Sequence, residues 1–293
     1  MIDVKSYSLK NNVVYDSIFL QYIGGNMDIS DLLQASLDWY EKEKTQAPIK
    51  INKYKKYVED AEKELNEAIS SNASAYIIKE YQKNLLEDEH NLKSYQELTS
   101  LLRMPDADDI TYRLRQRDEF PKKIASNFSH DEMLCFHGTT IFGAKNIILS
   151  NSISSGANRF GRTTSYDPPG KISATNIDTI ETSVGLYMRL NDNYCYPSGC
   201  LFVITAKNKE EYANLSSGWM IDNVDFKENP ERLVAIITTP ENIEKVSQWA
   251  KEGGIDTSKV MDFDSFIEKH QQQKDNVQMP MVQKLINAKR QKE

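Results

Sequence analysis

Cysteine is scarce in this chain: Cys135, Cys195 and Cys200 in 293 residues, with no CxxC pair among them. An odd, widely spaced set excludes a disulfide framework and a structural zinc site, and it predicts reduced thiols and a cytosolic site of action. Basic residues are not in excess either. The formal net charge is −7, and both halves of the chain are mildly acidic, so the electrostatic footprint of a nucleic-acid binder is missing. No apolar run reaches the length of a membrane span, and no secretory signal is visible. Histidine is rarer still than most residue types, with four copies. One of the four, His137, ends a short apolar run and stands directly before a glycine, in "LCFHGTT".

What is present is a chain of two characters that change near residue 125. Hydrophobic residues make up 39% and charged residues 27%, enough for a packed core. Residues 1–125 read as helices. "MDISDLLQASLDWYEKEK" places Ile29, Leu32, Leu33, Leu37 and Tyr40 at helical spacing behind an N-cap at Asp28 or Ser30. "IKINKYKKYVEDAEKELNEAI" predicts a second helix. A turn at "SSNASA" precedes a third, which Met104-Pro105 stops. The last two form an antiparallel hairpin over about 48–103. Its charged faces read as solvated, or as a surface that selects a protein partner.

Residues 126–270 read as strands, turns and short helices. "MLCF", "CLFVITA" (200–206) and "RLVAIIT" (232–238) are strand-like. "IFGAKNIILSN", "IDTIETSVGLYMRLN" and "PENIEKVSQWAKEGG" are helical, the last with Pro240 near its start and Gly253-Gly254 as its stop. Residues 271–293 form a polar tail. The fold class expected is α+β, with a helical N-terminal lobe ahead of a mixed sheet domain.

Three motifs in the second part carry chemistry only as a set. Gly138 lacks a Cβ, so its backbone can approach a planar ligand, and His137 beside it can offer a ring nitrogen to a hydroxyl. "GKISATNIDTIETSVGLYM" predicts a short strand with Ser173 and Thr175 on one face, followed by a helix carrying Tyr187. "KENPERLVAIIT" puts Glu231 at the mouth of an apolar strand.

In this order the motifs resemble the ADP-ribosyltransferase superfamily, over roughly Met133 to Val246. The His-Gly-Thr places the chain nearer the diphtheria-toxin and poly(ADP-ribose)-polymerase branch. That branch's middle tyrosine falls near Ser173, where "ISAT" looks more like the serine-threonine-serine strand of the other branch, whose first residue is arginine. Arginine-directed relatives carry Glu-x-Glu, and this chain has Asn229-Pro230-Glu231. The resemblance implies a split mixed β-sandwich and NAD as the second substrate. It implies Glu231 as the carboxylate that stabilises the oxocarbenium-like centre, with Ser173 orienting it. His137 would hold a ribose hydroxyl, the Gly138 backbone and Thr139 the nicotinamide end, Tyr187 the ring, and Arg159 and Arg162 the pyrophosphate. Trp219, Phe226 and Asn229 would recognise the acceptor. No metal is implied. The function implied is mono-ADP-ribosyl transfer to a protein side chain, as in a bacterial effector or toxin. NAD glycohydrolysis, or a non-catalytic helical adaptor with a decayed transferase scaffold, are the alternatives.

Overall fold

The computed structural model describes residues 28–154, 170–188, 194–218 and 220–272. The chain divides into two units. The first holds residues up to Gln116 together with Met188 and Tyr194–Pro197; the second holds Arg117–Tyr187 and the residues from Ser198 onward. The boundary therefore lies before the expected residue 125, inside a helix, and a short piece from mid-chain belongs to the first unit. Of the polar tail, Gln271 and Gln272 are described and the remainder lies outside the described residues.

In the first unit, α1 (Ile29–Ser70) is one continuous helix of 42 residues, about 63 Å long at 1.5 Å per residue. Asp28 caps it by accepting from the Asp31 amide. The sequence spacing predicts two helices here, and the single helix carries Pro48 inside it, which lacks an N–H and whose ring crowds the carbonyl four residues back. Side-chain packing offsets that loss: Glu43 and Ala47, in the turn before Pro48, are both buried. After a turn at Ser71–Ser74, with Asn72 left-handed at φ 55°, α2 (Ala75–Ser100) runs back along α1. The hairpin closes on Tyr54 and Tyr95, whose rings are 5.4 Å apart. It also closes on a buried carboxylate. Glu43 accepts from the Tyr95 hydroxyl and pairs with Lys50 at 2.8 Å. Burial, then the Glu43 carboxylate, push the Tyr95 hydroxyl well above its ordinary pKa.

The mid-chain piece joins the first unit because of Arg113, on α3 (Ala107–Asn127). Its guanidinium is fully buried. It donates to the Met188 carbonyl at 3.0 Å and the Tyr196 carbonyl at 2.7 Å, and it pairs with Asp109 at 2.9 Å. Trp39 meets the Tyr196 ring edge-on, and the Cys195 thiol donates to the Ser36 carbonyl.

The second unit is built on a four-stranded sheet in the order β1-β4-β7-β8. These are β1 (Leu134–Thr139), β4 (Cys200–Thr205), β7 (Leu233–Thr238) and β8 (Val260–Met261). The first three are antiparallel neighbours and β8 is parallel to β7, so the sheet is mixed. β4 is buried at its first five positions, which explains its unbroken apolar sequence. Two ribbons complete the unit. β2 (Ser152–Ile153) pairs with β6 (Val224–Asp225), and β3 (Lys171–Ser173) pairs with β5 (Met220–Asp222). The helices are α4 (Ile141–Ser150), α5 (Ile180–Met188), α6 (Lys209–Gly218), α7 (Ile243–Gly253), and α8, described over 263–272. α7 ends on left-handed Gly254, as the sequence predicts. A Cβ on Gly253 would lie 2.2 Å from the Ile148 carbonyl, so that glycine lets α7 approach α4. No helix among the described residues is long and apolar enough to cross a membrane.

Arg113→Met removes the donor of two buried carbonyls and leaves Asp109 half unpaired. Breaking a buried ion pair from one side predicts a loss of about 3 kcal/mol. Urea unfolding followed by helical circular dichroism reads it. A change under about 0.5 kcal/mol, the size of a neutral surface substitution, would mean that the guanidinium does not hold the segment.

Candidate functional site

The site grows from one edge of β1. Phe136 exchanges both main-chain bonds with Thr175, which follows β3: its amide donates to the Thr175 carbonyl at 2.8 Å and its carbonyl accepts from the Thr175 amide at 2.9 Å. If that antiparallel register continued, Gly138 would stand opposite Ser173. It does not continue. The bridge at Phe136 is isolated, and the His137 imidazole takes the Ser173 carbonyl instead, with Nδ1 at 2.7 Å. β1 and β3 therefore part after a single bridge. Backbone groups two residues apart point to the same side of a strand, so the N–H and C=O of Gly138 point the same way as those of Phe136, into the gap.

A carbonyl only accepts, so the His137 Nδ1 carries the proton in that bond. In the neutral ring the lone pair is then on Nε2, which accepts from a hydroxyl.

Helix α5 closes the gap from one face. A Cβ on Gly138 would lie 1.9 Å from the Ser183 carbonyl, so only glycine permits this approach. Ser183 is buried. Its hydroxyl donates to the Phe136 carbonyl at 2.8 Å and accepts from the Thr175 hydroxyl at 2.8 Å. Gly199 plays a similar part at the end of β1, where a Cβ would lie 1.7 Å from the Thr139 carbonyl. Neither Ser183 nor Gly199 stands out in the sequence. The signal available for Ser183 was its place one helical turn before Tyr187.

Several expected site residues are placed elsewhere. Tyr187 has no exposed surface, because Ile180, Ser183, Val184 and Tyr187 share the inward stripe of α5; the exposed side carries Leu186. Tyr187 is a core residue whose carbonyl accepts from the Gly199 amide. Thr139 packs its hydroxyl where a Cβ of Gly143 would fall, and Thr140 caps α4. Ser173 and Thr175 do not share a face as expected: Ser173 is exposed, while Ala174 and Thr175 are both buried, because the strand ends at Ser173. Phe226 is buried core, its amide bonded to the Asn151 carbonyl. Asn229 closes a local turn by donating twice to the Asp225 carbonyl. Arg159, Arg162 and Trp219 lie outside the described residues.

Glu231 is exposed in a 3-10 turn, Pro230–Arg232, that leads into β7. The sheet does not bring it to His137. Register aligns His137, Phe202 and Ile236 across three strands, and Glu231 lies five residues before Ile236. At about 3.3 Å per residue and about 4.8 Å per strand, the separation is on the order of 20 Å. Its surroundings are structural. Arg232 donates to the Thr205 carbonyl at 3.0 Å and pairs with Glu211 at 2.9 Å, both side chains largely buried. Lys259 donates to the Pro230 carbonyl, and burial lowers its ammonium pKa against the pull of Asp256 and Glu231.

No group of three metal-ligating side chains occurs among the described residues. Compared with protein-family models, curated proteins and solved structures, the chain matches none.

Two predictions follow from this geometry. Gly138→Ala forces its Cβ onto backbone, which must shift. Overpacking of this kind costs about 1–3 kcal/mol, and the melting temperature should fall by several degrees; an unchanged value would refute the close approach of α5. The cysteines are all free and buried. Burial pushes the Cys135 and Cys200 thiols up to about 12. Both should resist iodoacetamide at pH 8 in the folded protein and react once it is unfolded, as mass spectrometry reads directly. Because the folded pKa values are raised, stability should be full below about pH 8 and decline as the unfolded thiols ionise near pH 8.5. Rapid alkylation of either folded thiol would contradict its burial.

Proposed function

We propose that the second unit binds NAD in the gap between β1 and β3 and moves its ADP-ribose to a protein side chain. The observation that carries this reading is the parting of the strands at Gly138. A nicotinamide carboxamide needs one acceptor and one donor in fixed places, and the Gly138 carbonyl and amide supply that pair on one strand edge. The His137 ring, fixed by Ser173, stands one residue away as acceptor for a ribose hydroxyl. The split mixed sandwich expected for an ADP-ribosyltransferase accounts for a sheet and a ribbon that share only one bridge. An acidic, cysteine-poor chain with an added helical unit fits an effector or toxin acting in the cytosol of a host cell; this step is analogy.

The second reading is a binding scaffold that has lost transfer chemistry. The position of Glu231 favours it, because transfer calls for a carboxylate beside the ribose and the register sets Glu231 five residues along β7 from the position aligned with His137.

Calorimetry with NAD, together with assay of nicotinamide release, separates the readings. Binding with release, to water or to a labelled lysate protein, supports the transferase. Binding without release supports the scaffold. His137→Ala should weaken NAD binding about tenfold, the size of one lost hydrogen bond. Glu231→Gln should leave binding unchanged and nicotinamide release within about threefold of the parent. A drop of about a hundredfold, the loss expected for a carboxylate that meets developing charge, would return Glu231 to the reaction. Absence of NAD binding in the folded parent would remove the pocket reading altogether.

A further inference from the structure

The charge on α1 is segregated. Residues 42–56 hold six lysines and one glutamate, and residues 57–70 hold five carboxylates and one lysine. A net charge of +5 is thus followed by −4 within one continuous helix. The inward stripe, with Glu43, Ala47, Ala61 and Ala68, is buried against α2. The outward side stays exposed along both halves. On it, Asn52, Lys55, Glu59, Glu62 and Asn66 recur at intervals of three and four and so share one stripe. Its acidic half lines a shallow groove with Glu67 and Ser70. Elsewhere on the helix Lys50 pairs with Glu43 and Lys63 with Glu67. Among the described residues Lys55, Lys56, Glu59 and Glu62 take part in no ion pair.

A flat polyanion, such as an anionic membrane or a nucleic acid, would be attracted by one half of this stripe and repelled by the other. A second copy of the same helix, laid antiparallel, sets the basic half of each copy against the acidic half of the other, with Glu59 beside its own copy at the axis. Basic then meets acidic twice, related by a two-fold axis near residue 59, which is the self-complementary pattern that closed dimers require. Lys55 and Lys56 of one copy then face Glu62 of the other, and the small side chains of Asn66 and Ser70 allow close approach. We propose that this chain forms an antiparallel dimer through the outward stripe of α1. The overlap, about residues 48–70, is about 33 Å long. That is a small contact, so the dimer is weak, reversible and salt-sensitive.

Sedimentation of the full chain tests this. At low salt the parent should show a monomer–dimer equilibrium that shifts toward monomer in 0.5 M salt, roughly a 4 Å screening length. Lys55→Glu with Lys56→Glu makes the stripe wholly acidic. Glu59→Lys with Glu62→Lys makes it wholly basic. Each variant alone should raise the dissociation constant at least about tenfold, since like charges now oppose. An equimolar mixture of the two should associate again. All three proteins should keep the parent's helical circular dichroism, because the changes lie on an exposed face. A parent that stays monomeric up to about 100 μM, weaker than the micromolar limit of standard interfaces, overturns the proposal. So does a dimer that survives either reversal, or a mixture that fails to associate.

Discussion

The second unit depends on how closely α5 lies on β1. With no side chain at Gly138, the Ser183 carbonyl comes to where a Cβ would stand. That contact fixes the helix against the strand. It also brings the Ser183 hydroxyl to the Phe136 carbonyl, which already accepts from the Thr175 amide. The Phe136 carbonyl is thus the fixed point of the region, holding a strand edge, a helix and the chain beyond β3. Because Thr175 and Ser183 are anchored there, the β3–β5 ribbon is hinged at one bridge and departs from β1 immediately afterward. The gap that results follows from the packing, and any ligand entering it meets main-chain groups already in position.

The opposite end of the sheet is organised by a different constraint. Between Ile204 and Val203 of β4 the pairing with β7 slips, so that Val234 is an extra residue on β7. The bulge follows directly after Arg232, whose guanidinium spans from the Thr205 carbonyl to Glu211 on α6. Glu211 also accepts from the Asp222 amide, at the far end of β5 from Met220. One ion pair therefore ties the mouth of β7, the end of β4, α6 and β5. A buried pair of this kind adds little net stability, but its fixed geometry specifies which segments meet. A glutamate at the mouth of β7 is explained by exposure and by a lysine neighbour, without invoking chemistry.

The elements were more legible than the contacts. β4 and β7 are long enough and apolar enough to be predicted to within a residue, and the Gly253-Gly254 stop of α7 is a local signal. The continuity of α1 through Pro48 was not legible, because the cost of a proline is local while the packing that offsets it is not; nothing in "QAPIK" tells that Glu43 finds both Lys50 and Tyr95. Arg113 looked like one of three similar arginines in "RLRQR", and its role depends on carbonyls more than seventy residues away. That His137 and Gly138 lie near the end of a strand was legible, because "LCF" is an apolar run and a glycine follows it closely. Tyr187 was misplaced because a helix of nine residues has two sides, and sequence spacing did not establish which side faced the sheet. How far Glu231 lies from His137 was not legible, because register, which sets the ends of strands against one another, is absent from motif order.

His137 shows how a side chain can replace main-chain pairing. Had β1 and β3 stayed paired, the Ser173 carbonyl would have faced the Gly138 amide, and both edges would have been saturated. The imidazole takes that carbonyl from within the strand before it. The exchange leaves the hydrogen-bond requirement of the Ser173 carbonyl met by a side chain where the strands separate. A serine or asparagine at position 137 is too short to span the widened gap, and a lysine or arginine would bring only donors. Histidine meets the carbonyl with one nitrogen of a rigid planar ring. His137 therefore holds the Ser173 carbonyl at the point where β1 and the chain after β3 part.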